Sequence, residues 1–357
     1  MTGATGSIGR PLIDVLVRRG VDRIYALTHV EPFATEDPRV RPITGDICAG
    51  AGIGLSDAAA DEVCSTVNGI IHAAAETRFA APAEEAAHVN TDGTRNVLAF
   101  ARRCRRLDRV VALSTTHVAG RRIGDVFEDE LEHGEGFVNA YEASKYEAER
   151  ALRVAVGDLP ISVCRLSSAV GHSRSGAIAH RGAIHQAVLL MYAGLAPLIP
   201  GREDAPVDLV AVDYAVEAIA TLATDAHAPG RTWHVCAGDE TIAAGELLDL
   251  TLKCFEMYRP AWRRRAIARP AVVDLETFDL FRRTVDQAGD EALRASVSAV
   301  ARFAPQLAFP KRFDCSRATA ALAAFSVSRP SIRDTWTAVV RWLIQPATHD
   351  QIFSAAS

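Results

Sequence analysis

The chain opens with Met1-Thr2-Gly3-Ala4-Thr5-Gly6-Ser7-Ile8-Gly9-Arg10, and this G-x-x-G-x-x-G spacing decides the fold. Glycines at positions 3 and 6 let the backbone turn sharply and approach a pyrophosphate without a side chain in between. Gly9 lets a following helix lie close to a sheet. Apolar residues from position 8 to 17 then recur at helical spacing, so the loop leads into a helix whose first N–H groups favour a phosphate. The alternative is a glycine-rich turn that holds no ligand.

The segment before this loop is unusually short. A glycine loop of this kind normally follows a hydrophobic strand, and here only Met1 precedes Thr2. That strand is the central one of a doubly wound sheet. We therefore expect the first strand to be missing, through a late start or a truncation. Its two neighbours would then lose hydrogen bonds and apolar cover.

The next elements alternate between strands and helices. We expect strands at 23–28, 40–47, 69–73 and 109–113, with helical stretches such as 84–104 between them. This alternation predicts a parallel sheet with right-handed crossovers. The fold class is therefore α/β, a Rossmann-like doubly wound sheet, followed by a smaller and mainly helical C-terminal region.

Composition excludes several classes of protein. The chain has 357 residues, 49% hydrophobic and 23% charged, and a net charge of −5, which does not favour nucleic acid as a partner. The seven cysteines form no CxxC pair and no metal-ligand spacing, so we expect reduced thiols, no metal site and a cytoplasmic protein. The apolar stretch at 187–200 is too short to span a membrane, and no export signal precedes the domain.

Two polar groups carry the candidate chemistry. Tyr141 and Lys145 are separated by four residues, which places them on one face of a helix. An ammonium about 4 Å from a phenol favours the phenolate by about 4 kcal/mol at an effective dielectric of ~20. Upstream, Ser114, Thr115 and Thr116 follow a buried strand, at the edge where α/β sheets bind ligands. A tyrosine and a lysine that simply face solvent on a charged helix are the alternative.

Together these segments resemble the extended short-chain dehydrogenase/reductase family. The matching motifs are T-G-A-T-G-S-I-G at 2–9, G-D-I at 45–47, V-N-T-D-G-T at 89–94, S-T-T-H-V-A-G at 114–120 and Y-E-A-S-K at 141–145. The resemblance covers roughly residues 1–240. It implies an NAD(P)-dependent oxidoreductase.

The resemblance also implies roles for single residues. Tyr141 would exchange the proton with the reacting oxygen, and Lys145 would lower its pKa and bind the nicotinamide ribose. Thr115 would be the catalytic hydroxyl, with its two neighbours in the cluster as second choices, and Asn90 would support the lysine through a proton relay. Cofactor contacts would come from Gly3, Thr5, Gly6, Ser7, Ile8, Gly9, Arg10, His29, Asp46, Ile47, Ala73, Ala74, Ala75, Tyr141, Lys145 and Ser168.

The end of the second expected strand bears on the choice of cofactor. An acid there would hold the ribose 2′-hydroxyl and select NAD. The strand instead ends in His29, and the first acid is Glu31. His29 and Arg10 favour a 2′-phosphate, so NADP is expected. NAD is the alternative if Glu31 bends back into the pocket.

Later segments point to one branch of the family. C-R-L-S-S-A-V-G-H-S-R-S-G at 164–176 and V-D-L-V-A-V-D-Y at 207–214 resemble thioester reductases and fatty-acyl reductases, although Leu166 stands where that branch has proline. The resemblance implies reduction of an acyl thioester to an aldehyde or an alcohol. The substrate would arrive as a CoA thioester or on an acyl carrier protein. Alternatives are a nucleotide-sugar epimerase/dehydratase, a hydroxysteroid-type dehydrogenase, and a non-catalytic nicotinamide sensor or truncated chain.

We expect a division into two regions. Residues 1–171, with 205–240 returning to them, would bind the cofactor, and 172–204 and 241–357 would form a substrate-binding cap. The stretch 183–198 would line an acyl tunnel or serve as an ordinary core or dimer helix, so a homodimer is possible. The arginines around Trp262, at 259, 263, 264, 265 and 269, would meet phosphates, a carrier protein or a membrane surface, or simply form a solvated face.

Overall fold

The elements of the chain are taken from a computed structural model, which describes residues 1–289, 291–301 and 304–345. The strands are β1 (Ile24–Thr28), β2 (Val40–Thr44), β3 (Gly69–His72), β4 (Arg109–Thr115), β5 (Gly124–Val126), β6 (Ile161–Leu166), β7 (Ser168–Gly171), β8 (Leu198–Pro200), β9 (Pro206–Val207), β10 (Leu209–Ala211), β11 (Thr232–Val235), β12 (Ile242–Ala243), β13 (Ala271–Val273) and β14 (Lys311–Phe313). The α-helices are α1 (Gly9–Arg18), α2 (Asp57–Thr66), α3 (Ala83–Ala86), α4 (Gly93–Arg103), α5 (Ala140–Ala155), α6 (Ala183–Ala193), α7 (Val212–Thr224), α8 (Ala244–Tyr258), α9 (Leu275–Ala288), α10 (Glu291–Ala301), α11 (Ser316–Ala323) and α12 (Ile332–Leu343). Short 3-10 turns lie at Gly50–Gly52, Thr116–Ala119, Gly238–Glu240, Trp262–Arg265 and Ala304–Ala308, and a π-helical turn lies at Ala87–Asp92.

A parallel sheet forms the centre of the molecule. Four strands lie in the order β11-β6-β4-β3, and β1 and β2 form a second parallel pair. Met1 and Thr2 join the two groups: the Thr2 N–H donates to the Ile71 oxygen at 3.0 Å, and the Leu27 N–H donates to the Met1 oxygen at 2.9 Å. The combined order is that of a doubly wound α/β fold, as the sequence predicts.

The expected absence of the first strand is confirmed, because residues 1–8 contain no strand, but two of these residues still join its neighbours. Met1 and Thr2 hold the place of that strand, and Thr2 forms a parallel bridge with His72. Thr2 is also buried. The edges of β1 and β3 are therefore joined through these two residues, over a shorter length than a full strand would provide.

Helix α1 closes the glycine loop onto the sheet. Its buried residues Leu12, Ile13, Val15 and Leu16 recur at helical spacing. They pack in one core with β1 and helix α7. Each such side chain contributes about 1.5–3 kcal/mol when it is fully buried. This packing fixes where the helix begins relative to the sheet.

The four expected strands are present, three of them shorter than expected and β4 two residues longer, but the expected helix at 84–104 is interrupted. It consists of α3, the π-helical turn at Ala87–Asp92, and α4. A π-helical turn inserts one residue and redirects the side chains that follow, often at a functional site. Close packing holds α4 in place, because a Cβ on Gly93 would lie 2.7 Å from the Cδ1 atom of Ile47.

A second core lies beyond the sheet. It is formed by helices α6, α8, α9, α10 and α12, around buried side chains such as Phe255, Trp336 and Val339. The strand pair β8 and β13 lies beside these helices. Residues 205–240 run back to the first region, where β10 pairs with β7 and β11 pairs with β6. The end of the expected cap, residues 346–357, lies outside the described residues.

The cysteines and helices agree with the sequence expectations on two further points. All seven cysteines are free thiols. In the described part of the chain, every helix is too short or too polar to cross a bilayer.

Candidate active site

The glycine loop packs so closely that side chains are excluded from it. Gly3 has φ +69°, and a Cβ there would lie 2.5 Å from the carbonyl carbon of Ala73. A Cβ on Gly9 would lie 1.9 Å from the Gly3 oxygen. Ile8, the residue that caps α1, makes no side-chain hydrogen bond to the first turn. This narrow cradle with uncapped N–H groups fits the pyrophosphate of a dinucleotide.

A chain of hydrogen bonds fixes the loop to the sheet. The Thr2 hydroxyl oxygen accepts from the N–H groups of Ala73 and Ala74 at 3.2 and 3.1 Å. It also lies 2.8 Å from Nδ1 of His72, whose Nε2 lies 3.1 Å from the Thr94 hydroxyl. Burial lowers the pKa of His72 to about 3, so this imidazole is neutral. These hydrogen bonds hold Ala73 and Ala74 beside the loop.

The expected adenine end of the site lies after β1 and β2. His29 Nε2 is 3.7 Å from a carboxylate oxygen of Asp46. The other Asp46 oxygen accepts from the Cys48 N–H at 2.8 Å. Both residues line the cleft described below, as does Ile47. The two polar side chains thus lie close together in this part of the cleft.

Arg10 lies near this end of the site but outside the cleft lining. Its guanidinium group stacks over the Phe33 ring, 4.3 Å from the ring centroid. It also donates weakly to the Ala34 oxygen at 3.4 Å. The side chain is exposed.

The catalytic candidates meet where α5 crosses the end of β4. The Tyr141 hydroxyl is hydrogen-bonded to the side chain of Thr115. One turn later, Lys145 Nζ donates to the Leu113 oxygen at 2.9 Å. All three side chains line the same cleft. The N-cap Asn139, which accepts from the Glu142 N–H at 3.0 Å, fixes the start of this helix.

The protonation of this pair differs from the sequence expectation. Burial raises the pKa of Tyr141 to about 12, although the hydrogen bond to Thr115 acts in the opposite direction. Burial lowers the pKa of Lys145 to about 8. The expected lowering of the tyrosine pKa does not occur in this structure, because burial dominates and the ammonium is directed at Leu113. Tyr141 is therefore a phenol that can donate a proton.

Asn90 lies in the π-helical turn, beside the helix that carries the lysine. Its side-chain amide donates to the Ser144 hydroxyl and to the Glu76 oxygen, both at 2.9 Å. Its side-chain oxygen accepts from the Glu76 N–H at 2.9 Å. These bonds make Asn90 a link between the Glu76 loop and the residue before Lys145.

The other hydroxyls of the cluster face different surroundings. Ser114 donates to a carboxylate oxygen of Glu149 at 2.7 Å. Thr116 is buried at the start of a 3-10 turn. Thr115 is the hydroxyl that contacts Tyr141, so it is the best placed of the three.

A single cleft of about 1260 Å³ connects these groups. At one end it is lined by the glycine loop, His29, Asp46 and Ala73–Ala75, and in the middle by Thr115, Tyr141, Lys145 and Ser168. At the other end lies a chamber of mainly apolar side chains, which we call the apolar chamber. Its lining includes Ile184, Val188, Met191, Ile199, Leu247, Leu248, Val272, Ala299, Val300, Leu307 and Trp336. Of the site residues expected from the sequence, only Arg10 and Asn90 do not line this cleft.

Sequence reasoning missed some residues of the site. The Phe79 ring packs against Tyr141, with ring centroids 5.5 Å apart, and against His117 at 5.8 Å. The loop that carries Phe79 has no periodicity that would identify it. His117 also lines the cleft, and burial lowers its pKa to about 4.

The arginines around Trp262 are mostly engaged within the chain. The partners are Ile344 for Arg259, Glu256 for Arg263, Tyr192 for Arg265, and Glu203 and Asp249 for Arg269. These contacts favour a structural, solvated face. Among the described residues, no group of histidine, cysteine and carboxylate side chains is arranged to hold a metal ion.

Comparisons with known proteins agree with this geometry. Residues 29–219, more than half of the 357-residue chain, match the family model described as male sterility protein. The chain is 28% identical over 166 residues to fatty acyl-CoA reductase 2, chloroplastic, of Arabidopsis thaliana, which covers 38% of this chain and 27% of that protein. The chain thus spans about a quarter of the length of this relative.

Solved structures extend the similarity over the whole fold. The terminal R domain from the myxalamid PKS-NRPS biosynthetic pathway superposes with a TM-score of 0.78 and 26% identity, covering 96% of this chain and 89% of that one. A thiolation-reductase di-domain from an archaeal non-ribosomal peptide synthetase shares the fold, with a TM-score of 0.72 and 18% identity over 100% of this chain and 75% of that one.

Proposed function

The chain belongs to the male sterility protein family, within the extended short-chain dehydrogenase/reductases, and we propose that it reduces an acyl thioester with a nicotinamide cofactor. The continuity of the cleft is the observation that carries this proposal. The same space joins the glycine loop, the Tyr141 hydroxyl and the apolar chamber. A dinucleotide and an acyl chain therefore have separate places, with their reactive ends meeting at Tyr141.

The apolar chamber argues for an acyl group over a nucleotide sugar. A sugar requires several hydrogen-bonding partners, because its hydroxyls lose water on binding. The chamber offers mainly aliphatic side chains from α6, α8 and α10, beside a smaller polar set that includes Arg181, His185 and Gln306. An alkyl chain gains about 0.8 kcal/mol for each methylene that it buries there.

The residues of the site match the charges that thioester reduction creates. When bound, the cofactor supplies a hydride to the carbonyl carbon of the thioester. The electron pair of the carbonyl double bond then moves to its oxygen, where the hydroxyls of Thr115 and Tyr141 stabilise the negative charge. Tyr141 gives its proton to this oxygen and leaves a phenolate, which the Lys145 ammonium stabilises. The resulting hemithioacetal releases a thiol as its carbonyl re-forms, giving an aldehyde.

The source of the substrate is part of the proposal, and one structural neighbour supports it. The similar solved structures include a reductase attached to a thiolation domain. We infer that the acyl group arrives on the pantetheine arm of CoA or of a carrier protein. Both carry the same thioester, so the chemistry at Tyr141 is the same for either.

This function is tested by following NADPH oxidation and thiol release together, with a panel of acyl-CoA thioesters from short to long chains. We expect one free thiol for each NADPH if the product is an aldehyde. Two NADPH for each thiol would mean that the aldehyde is reduced further to an alcohol. Binding of NADPH without oxidation by any thioester contradicts the proposal.

We further propose that the cofactor is NADP. Arg10 and His29 provide two basic groups near the end of β1, and Glu31 is exposed and is not part of the cleft lining. Arg10→Ala should weaken NADPH binding at least tenfold and leave NADH binding unchanged, since only NADPH has the 2′-phosphate. Arg18→Ala, at the other end of α1, removes an exposed ion pair with Glu217 and serves as the control. Equal losses for both cofactors would contradict the assignment.

A further inference from the structure

A row of buried polar side chains crosses the sheet under helix α5. Ser114 on β4, Arg165 on β6 and His234 on β11 are register partners on adjacent strands. Glu149 of α5 joins them and is 0% exposed. We call these four residues the buried polar row. Charged side chains in such a position are costly unless they are fully paired, so their contacts are informative.

Glu149 is the residue on which the row converges. The Ser114 hydroxyl donates to one of its carboxylate oxygens at 2.7 Å. Arg165 donates to the other from Nη2 at 2.6 Å, and its Nε lies 3.0 and 3.1 Å from the two oxygens. Both oxygens are therefore bonded, and the arginine fork holds the carboxylate in one orientation.

The polar groups at the other end of the row, Arg165 and His234, are also hydrogen-bonded. Arg165 Nη1 donates to Nε2 of His234 at 3.0 Å, and the His234 Nδ1–H donates to the Asp314 oxygen at 2.6 Å. Burial and the neighbouring guanidinium lower the pKa of His234 to about 3. The imidazole is neutral, so the charges of the row are those of Glu149 and Arg165.

The row lies directly beside the catalytic lysine. Glu149 follows Lys145 by four residues, and such side chains are neighbours on one helical face. Lys145 donates to the oxygen of Leu113, and Glu149 accepts from the next residue, Ser114. Helix α5 is thus joined to the end of β4 at two consecutive residues, one contacted by the ammonium and the next by the carboxylate.

We propose that Glu149 is a positioning residue that keeps the Lys145 ammonium charged at the pH at which the enzyme works. Burial lowers the pKa of Lys145 to about 8, and the Glu149 carboxylate is the neighbouring charge that raises it. Without that charge, a larger fraction of the lysine would be neutral near pH 7–8. The catalytic consequence rests on the proposed reductase function, whereas the effect on lysine protonation does not.

The other titratable groups near Lys145 are neutral over the working range and do not replace this charge. Tyr141, one turn earlier, has a pKa raised to about 12 by burial. His72, on β3, has a pKa lowered to about 3, first by burial and then by the Lys145 charge. His117, in the turn after β4, has a pKa lowered to about 4 by burial.

The remaining charges near Glu149 are cations. Arg165 contacts the carboxylate directly, and Arg153 approaches it at 3.9 Å. These cations reduce the field of Glu149 at the lysine, and Glu149 remains the charge that raises the Lys145 pKa. Removing the carboxylate alone would leave Arg165 buried and unpaired, which destabilises the fold as well. A test must therefore separate protonation from stability.

The composition of the chain makes the lysine directly observable. It contains three lysines, Lys145, Lys253 and Lys311. Lysine labelled with ¹³C at the ε-carbon therefore gives three NMR signals, which Lys253→Arg and Lys311→Arg assign. Lys311 is an internal reference, because its pKa of about 8 is set by burial and by Glu142 and Arg122.

In Glu149→Gln we expect the titration midpoint of Lys145 to fall by about one pH unit, the order expected for one partly screened charge one helical turn away. The Lys311 midpoint should not move. Glu149→Asp keeps the charge and should restore the Lys145 midpoint. If Glu149→Gln fails to fold, Glu149→Gln combined with Arg165→Met removes both buried charges and should still lower the midpoint.

Glu128→Gln is the matched control for loss of stability. Glu128 is buried in the same region and accepts from the His234 N–H at 2.9 Å and the Arg317 N–H at 3.0 Å. Its loss should destabilise the fold and leave the Lys145 midpoint unchanged. An unmoved midpoint in folded Glu149→Gln, or an equal shift in Glu128→Gln, overturns the proposal.

The kinetic readout is the alkaline limb of kcat against pH. Since activity requires the charged lysine, this limb should move to lower pH in Glu149→Gln by the same amount as the NMR midpoint. If the unmodified protein reduces no thioester, the proposed function fails, and the titration still decides the role of Glu149. A parallel loss of kcat at every pH, without a shift, means a purely structural role.

Discussion

Lys145 donates to the main-chain oxygen of Leu113 at 2.9 Å, and this bond joins helix α5 to the strand that ends at Thr115. Tyr141 lies one helical turn before Lys145, and Thr115 lies two residues after Leu113. The same contact therefore helps to hold Tyr141 and Thr115 near each other. The lysine therefore links the two elements that carry these hydroxyls.

Tyr141→Phe should lower kcat by a factor of 100 or more, because it removes the proton donor and keeps the ring. Cofactor affinity should stay within about twofold, since the phosphate loop is untouched. Steady-state kinetics and NADPH fluorescence titration measure the two effects. Tyr146 lies on the same helix as Tyr141, and its hydroxyl donates to Glu132. Tyr146→Phe is therefore the control and should keep full activity. A joint loss of binding and turnover would indicate a structural role for Tyr141.

Gly9→Ala should abolish dinucleotide binding. The added methyl group would lie 1.9 Å from the Gly3 oxygen, so the loop or the helix must move. We expect the Kd for NADPH to rise at least tenfold and Tm to fall by several degrees. Gly157→Ala is the control, because a Cβ there meets nothing within 4 Å. Normal NADPH affinity in Gly9→Ala would mean that the glycine loop does not hold the cofactor.

Ala299→Phe should change the preference for acyl chain length. Ala299 lines the apolar chamber from helix α10, and a phenyl group would occupy part of that volume. We expect KM to rise at least tenfold for long acyl-CoA substrates and to change little for short ones. Ala288→Phe, at the exposed end of α9, is the control. Equal effects on short and long chains would place the acyl group elsewhere.

Stability should fall in mild acid because of three buried histidines. Burial lowers the pKa of His72 to about 3, of His117 to about 4 and of His234 to about 3. Above pH ~6.5 each is neutral both folded and unfolded, so none contributes a pH dependence. Below it only the unfolded chain takes up the protons, so stability is lost as the pH falls.

The expected loss between pH 7.5 and 5.5 is about 4 kcal/mol for the three histidines together, measured by urea unfolding. His72→Gln keeps hydrogen-bonding groups at the position and cannot titrate. Its unfolding free energy should vary about a third less with pH. A variant with the full original pH dependence would show that His72 is not one of the contributing groups.

The parts of the site that follow local spacing could be predicted from the sequence. Gly3 and Gly9 are identified by their intervals, and Tyr141 and Lys145 by a separation that matches one helical turn. Each of these patterns places residues relative to a single loop or helix. The structure brings them into one cleft because the ends of parallel strands meet at one edge of the sheet.

Other features depend on contacts that the sequence does not display. The sequence shows that Glu149 follows Lys145 by four residues. Its partner Arg165, however, can be identified only from the register of β4 and β6. Phe79 reaches Tyr141 from an irregular loop. The first strand is absent as expected, but the sequence does not show that Met1 and Thr2 still join β1 and β3 through main-chain hydrogen bonds.

The central claim is that a hydride adds to the carbonyl carbon of an acyl thioester in this cleft. The most direct measurement uses NADPH deuterated at C4, as each of the two stereoisomers, with an acyl-CoA that the enzyme consumes, followed by mass spectrometry of the aldehyde or alcohol. We expect one stereoisomer to transfer one deuterium per reduction step to the former thioester carbon. In Tyr141→Phe the same transfer should be at least about 100 times slower. An acyl product without deuterium from either stereoisomer, despite NADPH consumption, would contradict the account.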